Sequence, residues 1–276
     1  VYNNSPAIRR YVELENAGKE KLTVEHLSSF VLGNFPYSND DDSSMYIHSF
    51  RSAWCKEGNH YISSLAELEL YSTASQNAYV VESNGTWVCQ NYIPFFVLEQ
   101  RNAELFTAVQ IEHSSAWRFE MGLCECAFPN FFYLEGGMGN DHGSGWSVSL
   151  MPGEKLTSPA VSLAVETLNV ENVLNAMHMH RSHVLINRFD GDRNLPVIYN
   201  DWVYVSGKNN EKTILEQLDI LNEAGVEVLV TDAGWFCDSD ITADRGNIWF
   251  MTGQYEYNRE RFPNGIKYVT DCIKNY

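Results

Sequence analysis

Hydrophobic periodicity changes once along this chain, near Pro196, and no single layer architecture accommodates both sides of that change. Before it, apolar residues come in short, often alternating runs. These are AYVVES at 78–83, TWVCQNYIPFFVLEQ at 86–100, LFTAVQIEH at 105–113, AWRFEMG at 116–122 and GWSVSLM at 145–151. Clusters of Gly, Asn, Asp and Ser separate the runs, as in SNDDDSS at 38–44, SNG at 83–85 and GGMGNDHGSG at 136–145. Short strands punctuated by such turns predict an antiparallel sandwich. VLEQRNAELF at 97–106 reads as a hairpin with Asn102 near its turn. In AWRFEMG, strand alternation puts Trp117, Phe119 and Met121 on one face as a core stripe and Arg118 and Glu120 on the other as a solvated ion pair. PGEKLTSPAVSLAV at 152–165 predicts a turn and a further strand, and VENVLNAMHMHRSH a helix over about 170–183.

After Pro196 the pattern is strand, helix, strand, loop, helix. PVIYNDW is a short apolar strand. NNEKTILEQLDILNEAG carries an Asn start signal, Ile214, Leu215, Leu218 and Leu221 at helical spacing, and Gly225 as a stop. VEVLVTD is a second buried strand, and FPNGIKYVTDCIKNY begins another helix with Ile266, Val269 and Ile273 on one face. This is the βαβ pattern of a parallel sheet covered by helices, joined by a right-handed crossover. The polar, turn-rich RFDGDRN at 188–194 marks the boundary, which predicts domains over 1–187 and 188–276.

In sheets of this second kind the ligand crevice lies at the carboxyl ends of the strands. The first strand ends at Asn200, Asp201 and Trp202, and the second at Asp232, followed by Trp235 and Phe236. Two neighbouring strand ends thus each offer a carboxylate and an indole. A carboxylate accepts from hydroxyl groups, and an indole face covers the apolar C–H side of a sugar ring. The combination fits a carbohydrate subsite. It fits equally an Asp that caps its following turn beside a core Trp.

Charge and composition narrow the ligand. A net charge of −17 argues against a nucleic-acid backbone and an anionic membrane surface, and leaves room for a neutral ligand. No apolar run approaches the ~18 residues of a membrane span. No signal peptide is visible after Val1, so a cytoplasmic location is expected. The six cysteines contain one close pair, Cys124 and Cys126, with neither redox nor zinc spacing, and all are expected to be buried free thiols.

Taken in order, LPVIYNDW, LVTDAGWF and FPNGIK resemble the retaining α-galactosidases of glycoside hydrolase family 36, whose strands end in N-N-W and D-D-G-W-F before an F-P-N-G-L helix start. VQIEHSSAWRFEMG at 109–122 and MPGEKLTSPAVSLAV at 151–165 are similar to the β-supersandwich domain of that family. The resemblance implies an antiparallel β-supersandwich followed by the first βα units of a (β/α)8 barrel. A full barrel takes about 250 residues, so the stretch after Pro196 holds about two units and the chain reads as the N-terminal part of a longer enzyme.

That enzyme would remove terminal α-galactosyl groups from oligosaccharides such as raffinose or melibiose, through two carboxyls ~5–5.5 Å apart. The resemblance puts both on later barrel strands, so no catalytic residue is expected in these 276 residues, and the chain alone should be inert. It makes Asp232 a galactose hydroxyl ligand and Trp202 a wall of the pocket, with Asp201 and Trp235 completing the substrate-binding set. Two positions depart from the pattern: Ala233 stands for the second Asp of D-D-G-W, and Asp201 for the second Asn of N-N-W. Asp201 would then replace the lost acceptor across the rim, or the sugar preference would differ. The resemblance also implies a homo-oligomer, dimer to tetramer, built through the sandwich, and no cofactor. The alternatives are a non-catalytic carbohydrate-binding or oligomerisation module, with a sandwich aromatic such as Trp87 on the sugar, and a related α-glycosidase or galactosyl-transferring enzyme.

Other patterns point to bland roles. His178, His180 and His183 offer an H-x-H spacing without a nearby acidic or Cys ligand, so a polar helix face at the domain junction is expected rather than a metal. The DDD at 40–42 lacks the ligand alternation of a calcium loop, and GGMGNDHGSG lacks the Lys of a phosphate loop.

Overall fold

A computed structural model describes residues 5–36, 44–70, 77–85, 87–124, 131–140, 143, 145–184, 194–238, 248–253 and 255–276. The chain divides into two compact units, Val1–Ile186 and Asn187–Tyr276. The tip of the SNDDDSS turn, most of RFDGDRN and part of GGMGNDHGSG lie outside the described residues.

The first unit contains a six-stranded antiparallel sheet with the strand order Ala7–Arg10, Ala160–Thr167, Leu105–Glu112, Tyr92–Gln100, Met45–Ala53, Lys56–Ser64. A four-stranded sheet runs Ser28–Pro36, Phe131–Met138, Trp117–Cys124, Ala78–Ser83. Strand alternation decides which side chains meet. In Tyr92–Gln100, Phe96 and Leu98 enter the main core and Val97 faces the opposite side. The Phe96 ring stacks on Phe119 at 4.0 Å and meets Trp117 edge-on at 6.0 Å. Trp117, Phe119 and Met121 are all fully buried, as their alternation predicts, and Arg118 on the other face pairs with Glu120 and with Glu82. The indole N–H of Trp117 donates to Val88 O at 2.7 Å, so the largest buried side chain leaves no orphaned donor.

The 97–106 hairpin forms as predicted, with Phe96 opposite Val109 and a 3₁₀ turn at Arg101–Ala103. The strand expected over 86–100 starts only at Tyr92, because Trp87–Asn91 is a turn whose carbonyls are taken: Trp87 O accepts from Ser83 Oγ and from Gln90 N. Met45–Ala53 and Lys56–Ser64 form a hairpin that the sequence does not advertise. His48, Ser49 and Ser52 are buried there, and they mask the apolar alternation.

The helix Val170–Val184 covers the outer face of the larger sheet, laying Val173, Ala176 and Met177 on Val97, Phe106 and Ala164. His180 is its buried polar residue, bound to Ser5 Oγ at 2.7 Å and Ser162 Oγ at 2.9 Å. It therefore ties the helix to the sandwich and is not part of a polar face, while His178 and His183 are exposed. The free cysteines Cys55, Cys89, Cys237 and Cys272 differ from expectation: only Cys237 is buried, and Cys55 is exposed, at a positive-φ turn between two strands. Among the described residues no helix is long and apolar enough to cross a membrane.

The second unit starts with two parallel strands, Ile198–Asn200 and Val228–Val230, paired from Ile198 opposite Val228 to Asn200 opposite Val230. Between them the predicted single helix is two, Glu211–Leu215 and Leu218–Glu223. The break has a local cause. Gln217 Nε2 donates to Thr213 O at 2.5 Å, so the Gln217 N–H turns to Ile214 O, a 3₁₀-type bond. The start is firm: Asn210 and Thr213 form a reciprocal capping box. The last helix, Ile266–Lys274, packs Ile266, Val269 and Ile273 with Ile214, Leu229 and Phe262.

Candidate functional site at the ends of the parallel strands

Each parallel strand stops where its chain bends, and the bends are cross-linked. The Asp201 N–H donates to Val230 O at 3.1 Å, carrying the ladder one residue past the first strand. Asn200 then faces two ways. Its Nδ2 donates to Asp232 Oδ2 at 2.7 Å, and its Oδ1 accepts from the Trp202 N–H at 2.8 Å. The Asp232 Oδ1 accepts from the Ala233 N–H at 2.6 Å. Asp232 thus holds a fixed orientation and remains partly exposed, with lone pairs left over for a further donor.

The Asp201 carboxyl lies under the turn and is only 1% exposed. Its Oδ1 accepts from the Asp232 N–H at 2.9 Å. Burial raises its pKa above the ordinary 3.8, and the nearby Asp232 carboxylate pushes the same way. Asn209, fully buried, donates through Nδ2 to Asp232 O at 2.7 Å and to Ala233 O at 3.3 Å. Gly234 follows at φ +119°, and a Cβ there would stand 2.4 Å from Gly207 O. Only glycine fits this approach of two loops. Behind them Arg261, also buried, donates from Nη1 to Gly207 O at 2.8 Å and from Nη2 to Asp238 O at 2.8 Å.

Trp202 and Trp235 follow the two strand ends, each half-buried and each beside another ring. Trp202 opens a one-turn helix, Trp202–Val205, and lies 5.7 Å from Trp249. Trp235 stacks on Tyr255 at 6.4 Å and meets Phe236 edge-on at 5.2 Å. Trp202, Ala233 and Trp235 pack on a buried group of Phe236, Cys237 and Ile248. The structure therefore brings Asp232, Trp202 and Trp235 to one turn region, with Asp201 beneath.

Sequence reasoning does not single out Asn209, Gly207 or Arg261 as parts of this site. The doubled Asn at 209–210 holds the one signal: a helix needs a single Asn cap, and Asn210 supplies it, so Asn209 is spare for the site.

A carboxylate aimed by two hydrogen bonds, on a turn that also carries two half-buried indoles, suits a hydroxyl-bearing ring. The Melibiase family matches this chain over residues 156–276, which include the whole strand-end arrangement. The chain is 26% identical to probable alpha-galactosidase C of Aspergillus terreus over 99% of its own length and 34% of that protein. It is likewise 26% identical to alpha-galactosidase AgaA of Geobacillus stearothermophilus, over 96% of its length and 33% of that protein. The chain is similar along its length to α-galactosidases, and its fold is that of glycoside hydrolase family 36 α-galactosidases. The crystal structure of AgaA superposes with a TM-score of 0.80 at 22% identity, covering 99% of this chain and 35% of AgaA. The α-galactosidase from Lactobacillus brevis gives 0.79 at 17% identity, over 100% of this chain and 34% of its own. The chain spans about a third of the length of the α-galactosidases it matches.

Proposed function

We propose that these residues form the β-supersandwich and the first barrel units of a retaining α-galactosidase. In this reading, Asp232 and the indoles of Trp202 and Trp235 bind the galactosyl ring. Its support is the fixed geometry of Asp232, held by Asn200 and the Ala233 N–H on a turn whose two tryptophans pack on one buried cluster, in a chain similar to α-galactosidases along its length. AgaA variants have been crystallised with raffinose and with stachyose, and α-galactosyl oligosaccharides of that class are the proposed substrates. The two catalytic carboxyls come from barrel strands that this stretch does not supply. Asp232 is a ligand and not the nucleophile in this reading, because it stands at the first Asp of the D-D-G-W pattern and keeps lone pairs for a sugar hydroxyl. Ala233 removes one acceptor beside Asp232, so the proposed pocket grips its sugar with fewer charged hydrogen bonds.

The test is hydrolysis of an aryl α-galactoside by the enzyme that carries this sequence and by the 276 residues alone. The enzyme should cleave with retention of configuration, and the 276 residues should be inert. Turnover by the 276 residues would overturn the placement of the catalytic carboxyls.

A further inference from the structure

Two acceptor atoms in the second unit are buried without a hydrogen-bond partner among the described residues: Asp201 Oδ2 and Asn209 Oδ1. Each belongs to a side chain that is otherwise fully used. Asp201 Oδ1 holds the Asp232 N–H at 2.9 Å, and Asn209 Nδ2 holds Asp232 O at 2.7 Å and Ala233 O at 3.3 Å. The Asn209 side chain lies within hydrogen-bonding reach of the Asp201 carboxyl, and as a donor it would favour the ionised acid. Rotating the Asn209 amide would give Asp201 a donor, but would turn an oxygen toward two carbonyl oxygens. A single proton removes both orphans.

We propose that Asp201 is a neutral carboxylic acid in the folded protein, with Oδ2–H donating to Asn209 Oδ1. The pair then acts as a brace beneath Asp232. Asp201 fixes the Asp232 N–H, Asn209 fixes the Asp232 carbonyl, and their mutual bond locks the two together. One negative charge remains at the turn, on the Asp232 carboxylate. Were both acids ionised, two carboxylates would share one hydrogen-bonded peptide, one of them buried, and each would disfavour the other.

The groups facing Asp201 pull both ways: burial, the largest effect, and the Asp232 charge favour the neutral acid, whereas hydrogen bonds from the Asp232 N–H and Asn209 favour the ionised one. Asp232, from the second strand end, is an anion and repels a second charge. Tyr199, from the first strand, gives its hydroxyl to Gln217 Oε1 at 2.8 Å. Arg261, the cation that packs on this loop, directs Nη1 to Gly207 O and Asn209 O. Asparagine would offer Asn209 the same donor without a proton that can leave, so Asp201 makes the brace conditional on pH. Its value as a positioning residue rests on the proposed sugar-binding role of Asp232; its protonation does not.

The test reads the carboxyl itself. Infrared spectra of the 276-residue chain with ¹³C-labelled aspartate are recorded at about pH 5.5, where an aspartate with an ordinary pKa of ~3.9 is almost wholly ionised. A protonated-carboxyl C=O band should be present, and should vanish in Asp201→Asn. Its absence from the wild type, or its survival in Asp201→Asn, would overturn the proposal. Thermal unfolding supplies the second arm. Asp201→Asn should match the wild type at acid pH and surpass it as pH rises, while Asp201→Leu should fall below both throughout. Equal unfolding of all three at every pH would also overturn the brace. Neither arm uses a sugar, so a chain that bound no galactoside could still pass both, and a chain that bound one could fail both.

Discussion

At Gly234 the backbone sits at φ +119° with Gly207 O directly in the path of a Cβ. Gly234→Ala should cost about 1–3 kcal/mol from backbone strain, before the clash is counted. Urea unfolding followed through the second unit would measure it. Asn209→Leu should be worse for ligand binding than for folding of the sandwich, since it frees Asp232 O and Ala233 O together. Trp202→Ala should raise KM for an aryl α-galactoside more than it lowers kcat, the signature of a residue that binds ground and transition states alike. At this scale the sequence is legible where chemistry is visible. Asp232 and Trp235 declare themselves because a carboxylate and an indole end an apolar strand. Asp201 shows its charge but not its burial, which depends on a turn from the other strand folding over it. Asn209 is hidden because a residue beside a helix cap looks like part of the cap.

Elements were readable where one side of a strand or helix is uniformly apolar. The stripe of Trp117, Phe119 and Met121 is such a case, and its burial against Phe96 makes that ring a strong test. Phe96→Ala should destabilise the first unit by about 3–5 kcal/mol, measured by chemical denaturation. The hairpin Met45–Ala53 with Lys56–Ser64 was not readable, because His48 occupies a buried position through partners remote in sequence, His60 at 2.9 Å and Glu99 at 3.0 Å. The split helix at Glu216–Gln217 was hidden for a similar reason. A glutamine is a good helix former, and only its side-chain bond to Thr213 O diverts the backbone.

Across the whole molecule the two units carry buried titratable groups of opposite sense. In the sandwich, burial lowers the pKa of His48 and of His180 from the ordinary 6.5. The stability that these neutral rings contribute is present above that value and lost as pH falls through their folded values. In the second unit, burial raises Asp201, so its contribution is present below 3.8 and lost as pH rises through its folded value. Acidification below about pH 6.5 should therefore weaken the first unit, and the strand-end turn of the second should gain as pH falls through the folded value of Asp201. Hydrogen exchange, corrected for intrinsic rates, should show protection falling around residues 160–184 while it holds or rises around 198–236. A uniform loss would contradict the assignment. The central claim is that Asp232 is a sugar ligand in an α-galactosidase. The most direct measurement is kcat/KM on an aryl α-galactoside for the enzyme carrying this sequence, with and without Asp232→Ala. Loss of a charged hydrogen bond of ~1.5–3 kcal/mol predicts a fall of about 10- to 150-fold. An unchanged kcat/KM, or a wild-type enzyme that does not cleave the α-galactoside, would contradict the account.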